Sequence, residues 1–261
     1  MKYQFFAVFT CLIFVSFSAT VSIADLTEGL VGYWPLDGDG KDEGGNGLDG
    51  TIMGNVTPTE DRFGNSNSAM LFPGEATSHV AIEDSEELNI LFEMTLAAWV
   101  IADAAMQGNN NGRIFAKQAG GGARSWSLNT ENATLPASFH VAPDGGTIVA
   151  VDGSPLPTDT WVHIAGVFRP GKSLEVYING KLDTSNTLNI PGEQFSANAQ
   201  PVLIGARNAC GDCGWIGAID EVVIYKRDLA EDEIAQLMEG GPFAAVEPGG
   251  KLTTTWSEIK R

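Results

Sequence analysis

The chain has 261 residues, 43% of them apolar and 18% charged, with 31 glycines, a balance that excludes a largely disordered chain and allows a sizeable buried core. Its formal net charge of -18 opposes binding to nucleic acid, because one polyanion repels another. An acidic surface is equally compatible with plain solubility, divalent cations and neutral sugars, and does not choose among them.

Residues 1–24 have the three parts of a secretory signal: Lys2, an apolar run from Phe5 to Phe17 that contains Cys11, and the small-residue end Ser22-Ile23-Ala24. Cleavage after Ala24 is predicted. The run is too short to span a bilayer, and no later stretch approaches the roughly 20 apolar residues that a membrane helix needs. The expectation is a secreted or extracytoplasmic protein, in the periplasm or at the cell surface, with no membrane span. One domain is predicted over 25–240, then a linker and tail over 241–261.

Short strands are predicted at Leu30–Pro35, Ala69–Phe72, His79–Ile82, Arg113–Lys117, Ser125–Leu128, Ala137–Val141, Pro201–Ile204 and Gly217–Tyr225. Thr95–Ile101 is apolar at every position but the first, as in a central strand covered on both faces. Trp161–Phe168 is a further strand, and Arg169-Pro170-Gly171-Lys172 turns it into Leu174–Ile178. There Asn179-Gly180 supplies the positive backbone angles of a tight hairpin. Only Leu229–Met238 has helical spacing, with acidic residues in its first turn, where they suit the helix dipole. The six tryptophans recur at uneven intervals, which disfavours a propeller or solenoid. So many short strands argue for an all-β, two-sheet antiparallel sandwich with one short C-terminal helix.

The blocks GLVGYWPLDGDGKDEGGNGLDGTI, RFGNSNSAMLFPG, HVAIEDSEELNI, MTLAAWV, WVHIAGVF with LEVYINGKL, and GWIGAIDEVVIYKRDLAEDEIAQLM occur in the order of the laminin G-like members of the concanavalin A-like lectin and glucanase superfamily. The chain resembles that family over Leu30 to Met238, and the resemblance implies a jelly roll. It departs at Ala230, where members often carry Ser before the final helix. Alanine caps a helix less well than serine by about 1 kcal/mol, so the helix start is predicted to fray or to shift to Asp228.

The loop Asp37–Asp49 interleaves Asp37, Asp39, Asp42, Glu43, Asn46 and Asp49 with glycines, a composition that can supply the six to eight oxygens calcium prefers. The resemblance adds Asp220 as a partner, so the predicted metal ligands are Asp37, Asp42, Asn46 and Asp220 around a structural calcium. Carboxylates that only cap backbone amides, or that are simply exposed, are the competing readings. Asp220 is placed on one strand face with Val222 and Ile224, where a carboxylate needs a partner. After export Cys210 and Cys213 are the two remaining thiols and suit a local disulfide, since an oxidising compartment favours one.

Candidate ligand-binding residues are Asn110 and Arg113 in a polar loop, and Trp126 and Trp215 as aromatic platforms, although core packing is the stronger reading of each tryptophan. His163 reads as structural, and neither His79 nor His140 has a nucleophile motif beside it. The clustered acidic strand of the glucanases is absent, and Glu83, Asp84, Glu86 and Glu87 read as a solvated loop. The predicted function is therefore a non-catalytic module that binds a glycan or an extracellular protein. An adhesive or structural surface module without a small ligand is the alternative, and a glycoside hydrolase stands behind both.

Overall fold

The computed structural model describes residues 25–108, 112–119, 124–143, 147–193, 198–208, 211 and 213–243. The predicted signal segment, Asn110, Cys210 and most of the predicted tail lie outside them. The strands are β1 (Leu30–Trp34), β2 (Gly50–Met53), β3 (Thr57–Thr59), β4 (Ala69–Pro73), β5 (His79–Ile82), β6 (Met94–Val100), β7 (Arg113–Gln118), β8 (Arg124–Thr130), β9 (Pro136–Val141), β10 (Val149–Pro155), β11 (Val162–Arg169), β12 (Ser173–Ile178), β13 (Lys181–Asn186), β14 (Val202–Ile204) and β15 (Ile216–Tyr225). One α-helix, α1 (Glu231–Gly240), follows.

The strands form two antiparallel sheets. The eight-stranded sheet runs β13-β12-β11-β6-β15-β4-β3, with β1 also on β15, and the seven-stranded sheet runs β10-β9-β8-β7-β14-β5-β2. Between them lies the main core, built from one face of each strand: Leu96, Ala98 and Val100 of β6, Ile164 and Phe168 of β11, and Trp126, Leu128, Phe139 and Val141 from the facing sheet. Period-two alternation leaves the other face of each strand pointing away from this core. The sandwich therefore has two outer faces, and the sequence treats them differently.

The outer face of the eight-stranded sheet is apolar. Ala97, Ala165, Val167, Val223 and Tyr225 present it, and Leu229, just before α1, together with Ile234 and Leu237 of α1 cover it. Each buried leucine or isoleucine contributes about 1.5–3 kcal/mol, so this face is held shut mainly by the hydrophobic effect. Arg169 ties the approach to the helix by pairing with Asp228 and donating to the Leu229 carbonyl at 3.0 Å. That pairing holds Asp228 outside the helix, which begins at Glu231 with Ala230 as its N-cap. Ala230 contributes no side-chain cap, and the Glu233 carboxylate instead accepts from the Ala230 amide at 2.8 Å. The predicted shift of the helix start to Asp228 is thus corrected: half of a capping box suffices.

The predicted hairpin is present. Asn179 and Gly180 have φ of 49° and 76°, and β12 pairs with β13 on one side and β11 on the other. β2, β3 and β10 were not anticipated. All three lie at sheet edges, where a strand tolerates Pro58, Gly153 and exposed positions because one side of its ladder has no partner.

Candidate ligand-binding face

The outer face of the seven-stranded sheet is built from the alternate residues of the strands whose other face fills the core. In β8, Trp126 and Leu128 point inward, so Ser127 and Asn129 point outward; in β9, Phe139 and Val141 point inward, so Ser138 and His140 point outward. The registers align them in two rows across four strands. One row is Arg113, Asn129, Ser138 and Asp152; the other is Ala116, Ser127, His140 and Ala150.

Outward residues of a sheet are ordinarily solvated, yet Arg113, Ser127, Asn129, Ser138 and His140 are all buried. Burying polar groups is unfavourable unless they are bonded, and here they largely bond to one another. Ser127 donates to Asn129 Oδ1 at 2.7 Å, and Asn129 donates to Glu131 Oε1 at 3.1 Å. Arg113 reaches that same Glu131 oxygen at 3.2 Å and Gln118 Oε1 at 3.4 Å, while Ser138 donates to Asp152 at 2.6 Å. Among the described residues of the two rows, Nδ1 of His140 is a buried polar atom without a hydrogen-bond partner. Its other ring nitrogen lies 3.9 Å from Glu131.

Two further arginines border this floor. Arg124 is the register partner of Gln118, and Arg207 follows Gly205, whose amide bonds the carbonyl of Ile114 at 2.7 Å. Both are half-buried, as is Glu131. Burial and the charges of Arg113, Arg124 and Arg207 hold the His140 imidazole down to about 3, so it is neutral at neutral pH. Burial likewise pulls the Arg113 guanidinium down to about 10, opposed chiefly by Glu131.

The residues predicted to bind a metal separate into two groups. Asp42 caps the loop: its carboxylate accepts from the amides of Tyr33 at 3.1 Å, Gly44 at 2.7 Å and Leu48 at 3.0 Å. Asn46 donates to the Val31 carbonyl at 2.8 Å. These two hold the acidic loop against β1, the amide-capping reading. A Cβ on Gly44 would lie 2.8 Å from Asp42 Oδ1 and 2.9 Å from the Tyr33 amide, so at this position glycine serves the loop's packing.

Asp220 and Asp37, by contrast, share one region. Asp220 is not on the face of Val222 and Ile224: Glu221 has a φ of 48°, and a bulge between Asp220 and Val223 breaks the alternation. Ile219 and Val222 both face the core across the bulge, and consecutive Asp220 and Glu221 both reach the Arg62 guanidinium, at 3.5 and 3.1 Å. Arg62 also stacks on Phe63 and Trp99. Burial pushes the Asp220 carboxyl well above its ordinary value; Glu221, Asp37 and Asp61 add to this and Arg62 opposes it. The polar atoms of Asp42 and Asn46 serve the backbone, and the Asp220 carboxylate faces the Arg62 guanidinium. Among the described residues no group of three or more His, Cys, Asp or Glu side chains is arranged to hold a metal.

Trp126 and Trp215 are corrected as ligand platforms. Both are fully buried, Trp126 packs edge-on against Phe115 in the core, and Trp215 donates to the Ile101 carbonyl at 3.2 Å. Neither ring offers a face to solvent: Trp126 lies on the inward side of β8, and Trp215, just before β15, packs in the same core. Arg113 does lie in the polar face. Asp84 of the supposed solvated acidic run pairs with Lys117, a fully buried side chain that also donates to the Gln200 carbonyl at 2.8 Å. Cys213 is buried. Ser127, Asn129, Ser138, His140 and Glu131 were missed; alternation with Trp126, Leu128, Phe139 and Val141 was the available signal.

A laminin G family model of the concanavalin A-like lectin/glucanases superfamily matches residues 73–235. The chain belongs to this superfamily. A human relative, adhesion G-protein coupled receptor D1, is 32% identical over 79 residues, 30% of this chain and 9% of the receptor. The fold is that of the binding domain of Paraclostridial mosquitocidal protein 1 (TM-score 0.66, 18% identity, 82% of this chain and 52% of that one). It is also that of domain 4 of AbnA, a GH43 extracellular arabinanase from Geobacillus stearothermophilus, in complex with arabinotriose (TM-score 0.60, 22% identity, 80% and 98%). The ligand binding domain of botulinum neurotoxin serotype D, in complex with N-acetylneuraminic acid, matches at a TM-score of 0.63 and 12% identity over 82% of this chain and 51% of that one. The superfamily member described here thus spans about half of the toxin chains and a small part of the receptor. None of its described helices is long and apolar enough to cross a membrane.

Proposed function

We propose that this lectin-type domain is a non-catalytic, exported module that binds carbohydrate on the outer face of its seven-stranded sheet. The observation that carries the reading is the pair of cross-strand rows, in which buried Arg113, Asn129, Ser127 and His140 form a fixed polar layer that supports the more open Arg124, Glu131, Asp152 and Arg207 at its edge. Planar amide and guanidinium groups on a rigid sheet are the donors and acceptors that sugar hydroxyls match. Neighbours solved with arabinotriose and N-acetylneuraminic acid support a carbohydrate ligand. The non-catalytic reading is supported by the lack, in the sequence, of the clustered acidic strand that the glucanases use as acid and nucleophile. Export rests on the leader pattern, with the mature chain beginning at Asp25.

A structural calcium at Asp37 and Asp220 belongs to the same proposal, supported by the charges of Glu221, Asp37 and Asp61 beside the buried Asp220 carboxyl. A disulfide between Cys210 and Cys213 is proposed on their spacing. The purified protein on a glycan array, with calcium and with a chelator, tests the central claim. Binding to a defined sugar class that Asn129→Ala abolishes supports it; silence across the array from folded protein overturns it in favour of a protein partner. Calcium is expected to raise the melting temperature of the native chain and not that of Asp220→Asn, and an equal response of both removes Asp220 from the site.

A further inference from the structure

The outer face of the eight-stranded sheet is sealed over only part of its width. The cover formed by α1 lies on β12, β11, β6 and the end of β15, and the Met238 carbonyl of the helix accepts from the Trp99 indole at 3.2 Å. Beyond Trp99 the same face continues across Ala218 of β15 and its register partner Leu71 of β4. There the apolar side chains stand open: Leu71 is 44% exposed, and Phe63 is 64% exposed. Phe63 is held over this end of the face by the Arg62 guanidinium, which stacks on both Phe63 and Trp99 and pairs with Asp220 of β15. Large apolar side chains left in water beside a covered face mark an interaction surface.

The chain leaves the described fold next to this opening. Phe243 packs edge-on against Tyr33 of β1 at 5.9 Å, and Tyr33 pairs with Val223 of β15. From Val223 to Ala218 is five residues along β15, about 17 Å of strand. From Phe243 to Leu252 is nine residues, about 30 Å of extended chain, so the segment that follows reaches Leu71 with length to spare. Its charge also suits the place. Residues 244–261 carry Lys251, Lys260 and Arg261 against Glu247 and Glu258, in a chain whose formal net charge is -18. The exit point is acidic: burial, then the charges of Glu221, Asp220, Asp37 and Glu43, pushes the Tyr33 hydroxyl well above its ordinary value. Between the tail's charges, Leu252, Thr254 and Trp256 alternate with Thr253 and Thr255, residue types that favour an extended strand with Leu252 and Trp256 on one side.

We propose that the open end of this face is the docking site of the chain's own C-terminal segment, with Leu252 and Trp256 against Leu71 and Phe63 and the basic groups towards the acids around Tyr33. The tail thus completes the cover that α1 begins, on the sheet opposite the polar face and independently of the carbohydrate reading. A segment tethered this close is present at an effective concentration on the order of millimolar, so a contact too small to hold a free peptide suffices.

Hydroxyl-radical footprinting of the mature chain through Arg261 tests this, read as the oxidation rates of Phe63, Leu71 and Trp256. Replacing both Leu252 and Trp256 by Ser is expected to raise the rates at Phe63 and Leu71 about threefold or more, since the tether no longer carries the apolar contacts. In a second variant, Leu71→Lys, the altered side chain is already exposed and outside the core, so the fold stands while Trp256 oxidises about threefold faster or more. Unchanged rates at Phe63 and Leu71 in the first variant overturn the dock. So does a Trp256 rate indifferent to Leu71→Lys, or one as fast in the native chain as in a free peptide of residues 244–261. Protection that grows with protein concentration, together with a dimer in sedimentation velocity, overturns the intramolecular contact in favour of a second copy of the chain.

Discussion

The two outer faces of this sandwich start from the same rule, strand alternation, and end in opposite surfaces. Behind the eight-stranded sheet the outward positions are Ala97, Ala165, Val167 and Val223, and the chain spends its only described α-helix covering them. Behind the seven-stranded sheet the outward positions are Asn129, Ser127, Ser138 and His140, and α1 does not cover them. The first face is sealed by non-directional burial, and the second is ordered by hydrogen bonds whose geometry is specific. A sheet that needs only stability can hide its back with leucines; one that meets a polar ligand keeps donors and acceptors fixed there.

The sharpest way to break the comparison is to truncate the sealed face. Leu237→Ala, at a side chain 3% exposed, is expected to lower unfolding free energy by about 2–5 kcal/mol in a urea titration, with glycan affinity of the folded fraction unchanged. Loss of affinity along with stability would show that the two faces are not independent.

Each face also carries one buried neutral histidine, His140 on the polar side and His163, edge-on to Trp99, on the other. Burial first, then Arg62 for His163 and the three arginines for His140, holds both down to about 3 from an ordinary 6.5. The unfolded chain therefore binds more protons between these values. Stability is full above pH 6.5 and falls as the pH drops towards 3, by at most about 1.4 kcal/mol per pH unit for each histidine. Urea titrations at pH 7 and 4.5 are expected to show this fall, and His163→Gln to reduce its slope; a flat profile would refute the assignment.

Smaller effects separate core from surface. Gly166→Ala would place a Cβ 2.5 Å from Cγ of Phe139 in the opposite sheet, so a loss of about 1–3 kcal/mol is expected from thermal melts. Ser127→Ala removes the bond to Asn129 and is expected to lower stability by about 1 kcal/mol while reducing glycan affinity. Trp126→Phe, with its ring on the core side, is expected to leave glycan affinity within about twofold, which titration checks; a larger drop would restore Trp126 as a contact.

Much of the architecture was legible in the chain. The strand around Trp99, the Asn179-Gly180 hairpin and the final helix all carry their own local signals, because periodicity and turn chemistry are properties of a few consecutive residues. The edge strands β2, β3 and β10 were not legible, since a strand paired on one side only needs little local propensity. The candidate site was half visible: Arg113 was recognised as a ligand candidate, but the search for exposed aromatics led to Trp126 and Trp215, which occupy the inward positions.

What the sequence by itself determined is the two-sheet antiparallel plan and the inside-outside order within each strand, which follow from alternation and short turns. Only the tertiary structure decided which outward positions meet. Arg113 opens β7 while Asn129 and Glu131 lie at and just past the end of the neighbouring β8, Arg207 arrives from nearly a hundred residues away, and a single bulge at Glu221 turns Asp220 towards Arg62. Register and bulges are set by long-range pairing, and no local pattern of residue types contains them.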